Sequence, residues 1–287
     1  MKTIKLFLCI IATAIITSCG TTNIVPITGR KQNILVSDEQ VLAMSNKEYN
    51  EYMKTAKLST NAANSAMVKR VGQKLANTVE LYLKEHGQSN EISNYQWTFN
   101  LVQDKNANAF CMPGGKIVVY EGLLPYTQNE ASLAIVLGHE IAHAVAKHSA
   151  EQMSKQIRAE YGSQILGGVL NMAGVSNNTS QVAQTVFGLG SKFSNLKYSR
   201  QNESEADYMG LIFAAMAGYD PRVALTFWQR MAQGNSTYVP AFLSDHPSDS
   251  KRIADIEKEM PIALKYYKPA TTTYKASQKK SYSRKRK

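Results

Sequence analysis

Cysteine, tryptophan and histidine are scarce in this chain, at 3, 2 and 5 of 287 residues. Cys9 falls in an N-terminal apolar run and Cys19 at its end, so Cys111 is alone in the body and no disulfide framework can form there. Set among apolar strand residues, Cys111 reads as a packed core group rather than a nucleophile. Long apolar runs are also missing. The stretch from Leu6 to Ile16 is far short of the roughly 18–20 residues that a membrane-crossing helix needs. The glycine-rich stretch from Gly162 to Val175 is interrupted by Asn177 and Asn178, which fits a helical hairpin or a flap over a cleft. No internal repeat occurs, which excludes a solenoid. The content of 44% apolar and 19% charged residues is that of an ordinary globular protein.

The formal charge of +11 is unevenly placed. Nine basic residues and no acidic one lie between Lys265 and the C-terminus, and Lys2 and Lys5 account for two more, so the body is near neutral. That distribution carries no nucleic-acid footprint, and no nucleic-acid partner is expected. The basic tail, rich in Thr, Ser, Tyr and Lys, reads as a disordered segment, either solvated or lying against anionic surfaces. At the other end, Lys2 and Lys5 before the apolar run, then Thr17-Ser18-Cys19, form a secretory signal. Its last residues resemble a bacterial lipobox, which implies cleavage before Cys19 and lipidation of that residue. The expectation is a protein of the bacterial cell envelope, lipid-anchored and periplasm-facing at the outer membrane. Four segments follow: a signal over 1–18, a tether over 19–35, a catalytic domain over 36–262 and the basic tail over 263–287.

Within the body, Ser37 with Gln40 three residues on opens a helix by the reciprocal capping pattern. The positions Met67, Val68, Val71, Leu75, Val79, Tyr82 and Leu83 give a second helix from about Ala62 to His86, with Gly87 suited to its end. Strand-like runs from Gln96 to Val102 and Ala109 to Met112, then Lys116 to Tyr120 after Pro113-Gly114-Gly115, predict a small antiparallel sheet. Helical patterns return from Asn129 to about Ala159, Asn202 to Ala217, Pro221 to Ala232 and Ser248 to Glu259. The fold class is α+β and mainly α-helical, with the sheet flanking the helix that carries the chemistry.

That chemistry starts at His139-Glu140-Ile141-Ala142-His143. Two histidines four residues apart on a helix project from one face and can grip one cation. Glu140, about 100° further round, stands beside the ion rather than on it. Imidazole pairs suit Zn2+, which in a catalytic site takes three protein ligands and leaves a fourth position open. Leu133, Val136, Leu137, Ile141 and Val145 supply the buried side. The third ligand must come from elsewhere, and Glu203-Ser204-Glu205-Ala206-Asp207 offers three carboxylates. Glu203 and Asp207 share one helical face and compete with Glu205 for the inward side. One carboxylate would bind metal while another orients a ligand histidine through its second nitrogen. The plain alternative is a solvated acidic first turn favoured by the helix dipole.

Taken together, the helical HExxH, the ExxxD of Glu203 to Asp207, Asn108-Ala109-Phe110 leading to Pro113-Gly114-Gly115, and His246-Pro247 followed by Arg252 resemble the M48 peptidases. These are gluzincins that include the CAAX prenyl protease and bacterial periplasmic quality-control proteases. The resemblance spans about residues 30 to 260. It implies one zinc ion held by His139, His143 and Glu203, Glu140 as general base, and Asp207 as the partner that orients a ligand. It further implies that Asn108 contacts substrate backbone, and that His246 either steadies the oxyanion or closes the metal's open position. Polypeptides are the implied substrates, with damaged envelope proteins as the implied class. The alternative is a latent, metal-bound assembly factor for outer-membrane proteins. Unlike the prenyl protease the sequence shows no membrane-spanning helices, and it shows no tetratricopeptide repeats after the peptidase segment.

Overall fold

The capping pair read from the sequence forms as expected. The Ser37 side chain accepts from the Gln40 backbone N–H, and the Gln40 side chain accepts in return from the Ser37 N–H, starting helix α1, Asp38–Thr55. The computed structural model describes residues 21–168, 193, 196–233, 241–246 and 250–269. The signal over 1–18, the lipid site at Cys19, the second half of the Gly162–Val175 stretch and most of the basic tail lie outside them.

Before α1, strands β1 (Thr21–Ile24) and β2 (Lys31–Ile34) pair antiparallel as a two-stranded ribbon, Thr21 opposite Ile34 and Ile24 opposite Lys31. Residues 21–35 are therefore no tether. Val25, Gln32 and Ile34 are buried, and Arg30 reaches inward to Glu151 and Glu205. The sequence reading took polar composition for solvation, whereas the polar groups find partners on the domain.

Helix α2 (Ala62–Glu85) buries Val68, Val71, Leu75, Val79 and Leu83 along one stripe, each worth about 1.5–3 kcal/mol of transfer free energy. Gly87 follows with φ of +74°, the left-handed stop expected there. The one-turn helix α3 (Ser89–Ile92) leads into the sheet of β3 (Thr98–Val102), β4 (Ala109–Met112) and β5 (Lys116–Tyr120). Its order is β3-β5-β4. β4 and β5 are antiparallel, turned by Gly114 and Gly115 at φ of +83° and +82°, but β3 pairs parallel to β5. The all-antiparallel expectation is corrected accordingly. Successive strands do alternate in direction, yet β5 inserts between the other two, so the neighbours of unlike sequence order run the same way.

After a short helix α4 (Leu124–Thr127), helix α5 (Glu130–Val145) begins at the N-cap Asn129. It runs through the centre, packed by α2, by edge strand β4, by α7 (Arg200–Met216) and by α8 (Val223–Ala232). It is consequently buried on every side, not on one stripe. Lys147, at φ of +52°, breaks the chain direction before α6 (His148–Gly168). The last elements are α9 (Ala241–Asp245) and α10 (Ser250–Tyr266), the latter continuing past residue 262. Among the described residues no helix is long and apolar enough to cross a membrane. Cys111 is free and buried.

Helices α5 and α7 cross where Gly138 faces Gly210. A methyl at Gly210 would lie 2.7 Å from the His139 backbone nitrogen, and one at Gly138 would lie 2.8 Å from the Gly210 carbonyl oxygen. Both neighbours are backbone, so neither can swing aside. Gly210→Ala is expected to lower stability by about 1–3 kcal/mol, the usual cost of overpacking, read as a lower thermal midpoint; an unchanged midpoint would show that the crossing relaxes freely.

Candidate active site

α5 sets His139 and His143 one turn apart with their Nε2 atoms 3.0 Å from each other. α7 supplies the third group. Its own capping pair, Ser199 with Asn202, starts the helix so that Glu203 lies in the first turn, facing α5. Glu203 Oε2 is 3.5 Å from His139 Nε2, and its Oε1 is 3.5 Å from His143 Nε2. His246, just beyond α9, brings Nδ1 to 3.1 Å from His139 Nε2 and 3.2 Å from Glu203 Oε1. One ligand atom from each of these four buried residues lies within 4.8 Å of the others.

The three carboxylates are all buried, so the competition among them is decided by the direction each faces. Glu203 faces the imidazoles. Asp207, one turn on, accepts from His139 Nδ1 at 2.9 Å and is gripped by Arg252, whose Nε lies 2.5 Å from Oδ2 and Nη2 3.0 Å from Oδ1. Arg252 also donates to Glu203 and to the His246 carbonyl, and its guanidinium sits 3.9 Å above the Trp228 ring. Glu205 points the other way, to His148 and Arg30. A solvated acidic turn is thereby excluded.

The donor set fits a divalent cation. His139 gives its Nδ1–H to a carboxylate, which leaves a lone pair on Nε2 aimed at the His143 nitrogen and the Glu203 oxygens. Burial would raise Glu203, but His246 and His139 outweigh it and hold the carboxyl well below its usual range. Burial pushes His143 well below the usual histidine range, in favour of the neutral imidazole that binds metal. Acceptors converging at this distance repel one another unless a cation lies between them. Two or three imidazoles with one carboxylate is a zinc-type donor set.

Glu140 is buried beside the cluster, and its Oε1 has no hydrogen-bond partner. Burial raises its carboxyl to about 7, against the opposing field of His246. Asn108, expected at the substrate backbone, has both amide atoms occupied internally. Nδ2 donates to Asp245 at 2.8 Å, and Oδ1 accepts from the Ala109 N–H at 2.9 Å. With the Phe242 N–H donating to the Ala107 carbonyl, it pins α9 to the start of β4 and so fixes His246 over the site.

Four residues here escaped the sequence reading. His148 is five positions beyond His143 and off its helical face; only the turn at Lys147 brings it back, Nδ1 to Nδ1 at 2.9 Å. Tyr198 stacks on the His143 ring at 4.1 Å between centroids. Arg30 and Glu151 belong to elements with no pattern linking them to the motif.

Residues 63–260 match peptidase family M48. The chain belongs to that family. Among its relatives, the mitochondrial metalloendopeptidase OMA1 of Schizosaccharomyces pombe is 39% identical over 60% of this chain and 49% of its own length. The human mitochondrial metalloendopeptidase OMA1 is 32% identical over 84% of this chain and 46% of its own. The β-barrel assembly-enhancing protease of Escherichia coli is 32% identical over 55% of this chain and 33% of its own. The chain thus spans half or less of the length of these relatives. Their names support the expected metalloendopeptidase. They overturn the expected location: the similarity is higher or broader to mitochondrial proteins than to the E. coli one, which points away from a bacterial envelope.

Arg30 gives the site region a measurable acid response. Burial would raise Glu151, but hydrogen bonds from Arg30, Lys155 and Asn202 hold it at about 2, below its ordinary 4.5. A depressed folded value means that the ion pair contributes fully above about 4.5 and is lost as pH falls toward 2. Arg30→Gln should therefore melt several degrees below wild type near neutrality, with the gap closing between about pH 4.5 and 2 in thermal scans. A gap independent of pH would refute the pairing.

Proposed function

We propose that the protein is a zinc-dependent endopeptidase, with one ion held by His139, His143 and Glu203. The observation that carries this reading is the convergence of their ligand atoms, with that of His246, within 4.8 Å of one another. A zinc ion there supplies Lewis acidity to a peptide carbonyl and makes water easier to deprotonate near neutral pH. Asp207, backed by Arg252, holds the His139 ring by its Nδ1–H. Glu140 Oε1, which makes no hydrogen bond and has His246 Nε2 3.4 Å away, takes the proton from the attacking water as oxygen bonds to the carbonyl carbon. It returns that proton to the amide nitrogen as the C–N bond breaks, giving a carboxylic acid and an amine, which exchange the remaining hydroxyl proton to end as carboxylate and ammonium. β4, the edge strand beside α5, offers main-chain groups to an extended polypeptide.

The substrates in this reading are non-native polypeptides, and the role is protein quality control. Envelope proteins as a class fall away with the location they presumed.

A second reading, of a latent metal-bound assembly factor, is favoured by His246. Its Nδ1 completes a fourth protein position, and Asn108 and Arg252 hold it there. The E. coli relative named for β-barrel assembly supports the same class. Cleavage of an unfolded model protein separates the two. Glu140→Gln should keep stoichiometric zinc and lose about 100-fold or more of the activity; full activity in that variant would refute the assigned base. His246→Ala should raise cleavage if the ring closes the site, whereas a fall would place His246 with the reacting groups and sink the latent reading.

A further inference from the structure

His148 has no role in that scheme, yet it is fully buried and bonded at both ring nitrogens. Nδ1 meets His143 Nδ1 at 2.9 Å, and Nε2 meets Glu205 Oε2 at 2.9 Å. An ionised carboxylate only accepts, so Nε2 carries the hydrogen. The Glu205 oxygens are also engaged by Thr28 Oγ1 at 2.6 Å and Arg30 Nε at 2.8 Å. Arg30 lies 2.6 Å from Glu205 while Lys155, 3.0 Å from Glu151, supplies the second cation of the cluster, so Glu205 requires a hydrogen from His148 but not a further positive charge. A neutral His148 with its hydrogen on Nε2 presents a lone pair at Nδ1. His143 must then donate Nδ1–H to it, which leaves the His143 Nε2 lone pair directed at His139 Nε2 and Glu203.

We propose that His148 is a positioning residue that fixes the ring and tautomer of His143 for metal binding, and that Thr28 and Arg30 of the N-terminal ribbon hold it there through Glu205. The proposal rests on the zinc-site reading above. It makes the ribbon part of the metal centre, although Thr28 and Arg30 lie outside the family match of residues 63–260. Against a purely structural role stands the direction of the bonds: two imidazole nitrogens facing each other carry only one hydrogen, and the carboxylate behind them determines whose it is.

The test measures zinc affinity of the full chain by competition with a chromophoric chelator, together with 15N NMR of the histidine rings. Wild type should bind one zinc, with the His143 ring hydrogen on Nδ1. His148→Leu, which leaves His143 Nδ1–H without an acceptor and takes one of its donors from Glu205, should bind about 10–100-fold more weakly. His148→Gln retains one acceptor for His143 and one donor for Glu205 and should recover most of the loss. Arg30→Gln should fall between wild type and the leucine variant. Equal affinity in wild type and His148→Leu overturns the proposal, as does a glutamine variant no better than leucine. If the leucine variant does not fold, the wild-type spectrum decides: a His143 hydrogen on Nε2 refutes the proposal, one on Nδ1 supports it. A wild type that binds no zinc overturns the metal-site reading itself and this proposal with it.

Discussion

Helices α5 and α7 approach until backbone meets backbone at Gly138 and Gly210, and the site exists because of that closeness. Side chains at the crossing would hold the axes farther apart, and the carboxylates of α7 would no longer reach the imidazoles of α5. The approach also creates an electrostatic problem. Glu203, Glu205 and Asp207 are taken out of water on one helix, and removing an ionised carboxylate from water is costly unless hydrogen bonds and opposite charge replace the solvent. Arg252 on one side and Arg30 on the other supply that replacement.

The two histidines of α5 are supported in parallel ways. Behind His139 stand Asp207, then Arg252 over the Trp228 ring; behind His143 stand His148, then Glu205, then Arg30 with Glu151. Each chain runs from an imidazole through a carboxylate to a guanidinium, and the outer ends belong to the first and last parts of the described fold. The ribbon β1-β2 and helix α10 therefore brace the two imidazoles of α5 through different carboxylates of α7. Burial lowers His143 and the neighbouring His246 and His139 lower Glu203, which favours a neutral imidazole beside an ionised carboxylate.

Much of this was legible beforehand, for identifiable reasons. Helix starts at Ser37 and Ser199 rest on local hydrogen bonds that a few neighbouring residues specify, and the stripe of α2 rests on helical period. The pairing of β3 with β5 was not legible, because strand neighbours depend on which surfaces the intervening segments leave free. The ribbon was misread because short polar segments look alike whether solvated or bonded to a domain. The contact of Asn108 with Asp245 was not legible, because the two residues lie 137 positions apart.

The sequence alone determined that two imidazoles share one face with a carboxylate beside them: four residues on an α-helix make about one turn, so His139 and His143 project together wherever the helix goes, with Glu140 next to them. Only the tertiary structure decided which acidic side chain faces them, Glu203 rather than Glu205, and that His246 lies with it. Those choices depend on contacts between elements distant along the chain, where burial raises the strength of every charge and hydrogen bond and leaves one arrangement in which all of them are satisfied.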